Sequence, residues 1–241
     1  MAFTPVLHAE WLKIRTLRSL PGALLALFAV TTAFAALAGA DGSSDPDFDP
    51  LFSSFFGVLP GQIAAASFGA MAVSSEYHGG ALRLTLAAVP QRGRWFAAKM
   101  TAIAVPALLV GLVTALAALA VARAGLGSAA NGLTTAQQVR GVVGCGVYLM
   151  LMALFAAGLT AVLRSGVATL SVLIPFILVV SFVVGDAVGT VADYLPDKAG
   201  QIVLHQTYEG TLGPWSGLAV TALWTAAALL TGLWSVRRRD A

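Results

Sequence analysis

Six apolar runs, at about Leu20 to Ala40, Leu51 to Val73, Thr101 to Ala122, Gly141 to Leu163, Gly166 to Gly185 and Trp215 to Val236, dictate what this chain can become. Each reaches the roughly 20 residues that an α-helix needs to cross a hydrocarbon core of about 30 Å. Backbone polar groups inside lipid must satisfy one another, so runs of this length fold as helices. With 58% of the 241 residues hydrophobic and 10% charged, a soluble globular domain is excluded. The expected fold is an all-α polytopic membrane protein with six transmembrane helices at residues 20–40, 51–73, 101–122, 141–163, 166–185 and 215–236.

Basic residues give the orientation. Lys13, Arg15, Arg18, Arg83, Arg92, Arg94, Lys99, Arg164, Arg237, Arg238 and Arg239 fall in segments on one side, whereas the other side holds Arg123, Arg140 and Lys198. The positive-inside rule places both termini in the cytoplasm. The first run is expected to be a retained span, since three basic residues precede a long apolar stretch with no clear cleavage context. Cys145 falls within a span, allows no disulfide within the chain and reads as a small packing residue.

The longest polar interruption on the basic side is residues 75–99, SEYHGGALRLTLAAVPQRGRWFAAK. Gly79 and Gly80 break a helix that ends near Tyr77. Leu82, Leu86 and Val89 then recur at one-face helical spacing, and Pro90 stops the segment ahead of Arg92, Arg94 and Lys99. A short amphipathic helix between two breakers reads as a docking element, with a basic end suited to acidic protein or anionic headgroups.

Glu76, Gly80, Leu82, Leu84, Leu86, Pro90, Arg92 or Arg94 and Lys99 together resemble the cytoplasmic loop of the ABC-2 type permeases, the membrane subunits of a class of ATP-driven exporters. The resemblance implies that the whole chain, 1–241, is one ABC-2, type V exporter-like transmembrane domain. It implies that residues 75–99 form a coupling loop in which Glu76, Tyr77, Gly80, Leu82, Arg83, Leu86, Pro90, Arg92, Arg94 and Lys99 meet an ATP-binding subunit. No GxxxxGK[ST] is present, so ATP and Mg would be held by that partner, with no cofactor or catalytic residue on this chain. A second permease chain, identical or a paralogue, and membrane lipid complete the implied partners, without nucleic acid, in a bacterial cell membrane. The cargo would be amphipathic or lipophilic. The competing reading is a non-transporting immunity or scaffold protein that uses the same inside loop.

Residues 6–18 read as an N-terminal interfacial amphipathic helix. Leu7, Trp11 and Ile14 form its stripe, Glu10 sits at the edge, and Lys13, Arg15 and Arg18 reach phosphates. ABC-2 permeases begin with a similar connecting helix. Residues 41–50 hold four aspartates without the glycine and terminal glutamate of a calcium loop, and read as solvated. Gly57 with Gly61, and Ala65 with Gly69, have small-xxx-small spacing that suits packing or a dimer seam. Pro106 and Pro175 predict kinks. Residues 186–214 are too long for a turn and apolar enough at Val191 to Leu195 and Ile202 to Leu204 to fold back. This resembles the partly re-entrant external segment of the family, where His205, Tyr208 and Glu209 are candidates for an external gate or substrate contact. The apolar runs contain no Asp, Glu, Lys, Arg or His, which disfavours an ion-coupled carrier.

Overall fold

A computed structural model of the chain describes residues 3–40, 48–127, 132–180, 189–207 and 210–238, and every regular element among them is helical. The helices are α1 (Phe3–Thr16), α2 (Ser19–Ala40), α3 (Pro50–Ser54), α4 (Val58–Ser74), α5 (Ala81–Ala88), α6 (Arg92–Leu126), α7 (Thr135–Leu163), α8 (Gly166–Pro175), α9 (Pro196–Gln201) and α10 (Pro214–Arg238). Five of them, α2, α4 with a 3-10 turn that extends it to Tyr77, α6, α7 and α10, are long and apolar enough to cross a membrane. The sixth expected run is described as α8 followed by a π-type turn over Phe176–Val180, and residues 181–185 lie outside the described residues.

Burial explains the arrangement. In α7, 72% of the apolar window is buried inside the protein, against 22% in α2. Helix α7 is therefore the post around which α4, α6 and α10 pack, and its Tyr148, Leu149 and Met152 are wholly enclosed. The outward faces of the surrounding helices carry exposed Leu25, Leu116, Val172, Leu223 and Leu230, as a bundle surrounded by lipid requires.

Two expected spans differ in detail. The second was expected to run unbroken from Leu51, but Leu51 belongs to α3, a separate short helix. Asp49 caps α3 by accepting from Leu51 and Phe52 N–H, each at 3.0 Å, with Pro50 at its first position. The third span begins earlier than its apolar run. Arg92, Arg94 and Lys99 are not loop residues but form the first turns of the 35-residue α6, about 52 Å long at 1.5 Å per residue. Pro106 is accommodated inside continuous α6, whereas Pro175 is followed at once by the π-type turn, where the i to i−4 ladder has lost a donor.

The small residues act within the chain. A methyl at Gly57 would lie 1.9 Å from the Thr31 carbonyl oxygen of α2, and one at Gly69 would lie 1.9 Å from the Ala153 carbonyl oxygen of α7. These contacts fix how closely α4 approaches both neighbours. Gly69→Ala is expected to lower the thermal unfolding midpoint of the purified chain by the equivalent of about 1–3 kcal/mol, the usual range for overpacking against unyielding backbone. An unchanged midpoint would show that α4 and α7 can separate freely.

Candidate functional site

The polar residues of the basic end converge on one buried cluster. Lys99 of α6 places its Nζ 2.7 Å from Glu10 Oε2 and 2.6 Å from Glu76 Oε1. Lys13 of α1 donates to Glu10 Oε1 at 2.9 Å and to Glu76 Oε1 at 2.8 Å. Trp95 Nε1 donates to Glu10 Oε1 at 3.2 Å, and Thr85 Oγ1 of α5 donates to Glu76 Oε2 at 3.3 Å. Every carboxylate oxygen thus has a donor, and two positive charges meet two negative ones. The side chains of Glu10, Glu76 and Lys99 are only 2–3% exposed, while that of Lys13 is 33% exposed.

Local sequence explains why these groups meet. In α1, Val6, Glu10 and Ile14 recur every four residues and form the buried face. The expected stripe through Leu7 and Trp11 is only half-buried, and Arg15 and Arg18 point outward. Glu10 is therefore at the centre of the buried face rather than its edge. The 3-10 turn Ser75–Tyr77 carries Glu76 inward, and Trp95 and Lys99 are four apart on one face of α6. Burial alone would lower the pKa of Lys13, but its hydrogen bonds to Glu76 and Glu10 outweigh that and hold it above its ordinary value. A raised lysine pKa means that the pairing contributes below the unfolded value and is lost only as pH rises through the folded one.

Beyond the cluster, Gly79 and Gly80 turn the chain at φ of +63° and +75°, backbone that favours glycine, and α5 follows. The face of α5 that bears Leu82 and Leu86 is turned onto the protein's own core, joined there by Tyr77 and Val89. The apolar stripe expected to meet a partner is thus turned inward, with Leu82 buried and Leu86 and Val89 half-buried. The outward face carries Arg83 and Leu84, the latter 74% exposed, with Pro90 exposed beyond it. Tyr77 donates to the Ala161 carbonyl at 3.3 Å, and the Arg164 guanidinium lies 5.9 Å from the centre of the Tyr77 ring. Glu76, Tyr77, Gly80, Leu82, Arg83 and Arg164 line a depression of about 450 Å³. Arg92 donates to the carbonyls of Val236 and Arg237 at 2.8 and 3.3 Å, tying α6 to the end of α10, and Arg94 is half-buried.

At the opposite end, His205 stacks on Phe52 with ring centres 4.2 Å apart, and its Nδ1 lies 3.2 Å from Asp49 Oδ2. Gln206 N–H donates to the same oxygen at 2.8 Å, and Arg140 holds the His205 carbonyl. Tyr208 and Glu209 lie outside the described residues. Asp49, expected in a solvated loop, is instead a staple between α3 and the segment after α9. The reason is that its two oxygens serve different elements, one capping α3 and one receiving Gln206 and His205. Burial alone would raise the Asp49 pKa, but the His205 contact and the Phe52 and Gln206 N–H groups hold it below the usual carboxylate value. With a depressed folded value, the staple contributes above the ordinary carboxylate pKa and is lost as pH falls through the lower one. Segment Pro196–Leu204 packs into the bundle, with Asp197, Gly200, Ile202, Val203 and Leu204 buried.

Thr85, Trp95, Asp49 and Phe52 were not among the site residues anticipated from sequence. A signal existed for Trp95, four residues before Lys99 on the same helical face. For Asp49 the signal was its position directly before a proline.

Lys99→Met leaves two buried carboxylates facing one partly exposed ammonium, and is expected to cost about 3–5 kcal/mol in a thermal unfolding series. Combining it with Glu10→Gln should cost less than the sum of the two changes; strict additivity would show that the groups do not act together. Asp49→Asn preserves a good helix cap, so it should lower the midpoint at pH 7 by no more than about 1 kcal/mol for this partly exposed pair. The same variant should also flatten the decline expected of the parent chain below about pH 4. An equally steep decline in the variant would assign acid sensitivity to other groups.

The family model described as ABC-2 family transporter protein matches residues 6–185, 180 of the 241 residues, and includes all four charges of the buried cluster. No significant match is found among curated proteins. By that coverage the chain belongs to the ABC-2 transporter family, as a multi-pass permease component of an ABC transporter.

Proposed function

We propose that this chain is the permease subunit of an ATP-driven exporter, and that a separate ATP-binding subunit seats on the outward face of α5. Two permease chains would enclose the pathway, both termini would be cytoplasmic, and the cargo would be amphipathic or lipophilic. ATP and Mg would be bound by the partner. The observation that carries the reading is the linkage of α5 to the bundle. A helix of eight residues is marginal alone. Here it is held by buried Leu82 and by the Thr85 to Glu76 hydrogen bond, and Glu76 is bonded in turn to α1 and α6. A push on α5 is delivered to three elements at once. That is what coupling requires: a partner that contacts two conformations differently shifts the balance between them.

Leu84 and Arg83 supply the proposed contact, an exposed apolar side chain beside a cation. With Arg164 at the neighbouring depression, the partner surface would present an apolar socket flanked by carboxylates. Leu82 and Leu86 support α5 from beneath.

The test is co-purification of the tagged chain with the ATP-binding subunit in nanodiscs. Leu84→Asp is expected to abolish recruitment while leaving the unfolding midpoint within about 0.5 kcal/mol, since the side chain is exposed. Leu82→Asp should lower recruitment and the midpoint together, because it buries an unpaired charge. Full recruitment by Leu84→Asp would remove the proposed face, and a folded chain that never retains an ATPase would favour a scaffold role.

A further inference from the structure

A cleft of about 320 Å³ opens at the perimeter of the bundle among α2, α4, the turn after α8, and α9. Its walls are Phe34, Phe56, Leu59, Ile63, Ile177 and Leu178. Phe34, Phe56 and Leu178 are 36% or more exposed, so the mouth faces outward from the helices, where lipid would lie. The volume is at the lower end of the range of about 300–1,000 Å³ common for small-molecule sites.

The inner end is polar. Gln62 is 2% exposed and Gln201 8% exposed, and both line the cleft. Behind them, wholly buried Tyr148 donates its hydroxyl hydrogen to Gln62 Oε1, and Gln201 Nε2 donates to the Tyr148 oxygen at 3.3 Å. Both amides are thereby oriented. Among the described residues, no protein partner is recorded for Gln62 Nε2 or Gln201 Oε1, a donor and an acceptor on residues that line the cleft. Asp197 and Lys198 line it too, one charge of each sign, so the site has no formal net charge to attract an ion. Gln62 is the fifth residue of α4, about 6 Å along the helix axis from its start. Neither of these two amide ends is among the buried polar atoms left without a partner, so both are open to the cleft, where a hydrogen-bonding group can reach them.

We infer that this cleft binds an amphiphile with an uncharged polar part, rich in amide or hydroxyl groups, held by Gln62 and Gln201 with its apolar part between α2 and the turn after α8. As a statement about cargo, it rests on the exporter reading. Entry is lateral, since the mouth lies on the apolar perimeter. The site discriminates by head-group charge: a cationic or anionic head would lose its hydration without gaining a net counter-charge.

The test uses the full chain in nanodiscs without any ATPase. The probe is octanoyl-N-methylglucamide carrying a diazirine in its acyl chain, compared with matched probes bearing a trimethylammonium or a sulfate head. Cross-linked peptides are read by mass spectrometry. The glucamide should label the peptides around Phe34 and Ile177–Leu178, in competition with its unlabelled form, and exceed both charged probes by about tenfold, as one or two net hydrogen bonds imply. Gln62→Leu should reduce the labelling to the level of the charged probes. Leu178→Trp fills the mouth from an exposed position without touching the polar end, so it gives the same loss even where Gln62→Leu fails to fold. Equal labelling by all three heads, or undiminished labelling of folded Leu178→Trp, would overturn the inference. Head-selective labelling of a chain that recruits no ATPase would remove the exporter reading and leave the site standing. Recruitment without selective labelling would remove the site alone.

Discussion

Three buried charges and a fourth that is partly exposed hold the basic end of this protein together. An isolated lysine or glutamate at 2–3% exposure would be prohibitively costly, so Lys99, Glu10 and Glu76 are tolerable only as a set. Lys13 completes the neutrality of the set from a partly exposed position. The consequence is geometric: α1, the end of α4 and the start of α6 cannot shift independently without leaving a charge unpaired, and α5 is tied to them through the Thr85 hydroxyl. Apolar packing alone would not impose this, because one leucine contact slides into another at little cost. Fixed donors and acceptors define a single register.

That stiffness matters because the helices beyond it are joined by small-residue contacts. Gly57 and Gly69 bring α4 to backbone contact with α2 and α7, and a methyl at Gly158 would lie 2.7 Å from the backbone carbon of Ala228 in α10. Such crossings transmit displacement efficiently, since no flexible side chain lies between the two backbones. Lys99 lies near the start of the 35-residue α6, so under the proposed coupling a displacement at the charge cluster would be carried along that helix. At the far end, Arg123 of α6 meets Gln138 of α7 at 2.7 Å, a contact made of exposed groups. The basic end is locked by buried charge, and at the opposite end exposed and half-exposed hydrogen bonds join the buried one from Thr221 to the Pro196 carbonyl.

The sequence made the helices legible because lipid leaves so few alternatives: apolar length, glycines and prolines located five helices long enough to cross a membrane, the Gly79–Gly80 break and α5. What it could not supply was the direction in which each polar residue points. Glu10 looked like the edge of an amphipathic stripe, yet it marks the centre of the buried face, because burial in α1 follows Val6, Glu10 and Ile14. Hydropathy counts Glu10 as polar and therefore outward, and only the presence of Lys99 and Trp95 on another helix reverses that. The stripe of Leu82 and Leu86 was correctly periodic, but periodicity states that a face must be covered without stating by what. The aspartates at 41–50 show the same limit, as Asp49 owes its role to His205 and Gln206, more than 150 residues away.

The placement of polar groups along the bundle follows from the cost of each. The buried ion pairs lie at the basic end, where Lys13 keeps contact with water, and amides and a phenol form the similarly buried Gln62, Tyr148 and Gln201 network, with buried Asp197 at the same cleft. A buried neutral hydrogen bond left unmade costs about 1–3 kcal/mol, while breaking a buried ion pair costs about 3–5 kcal/mol. A protein that must change shape can exchange the cheaper contacts during its cycle and preserve the costlier ones throughout. Under the proposed exporter cycle, the charge cluster would move as a body and the amide network beside the cleft would be where contacts are remade.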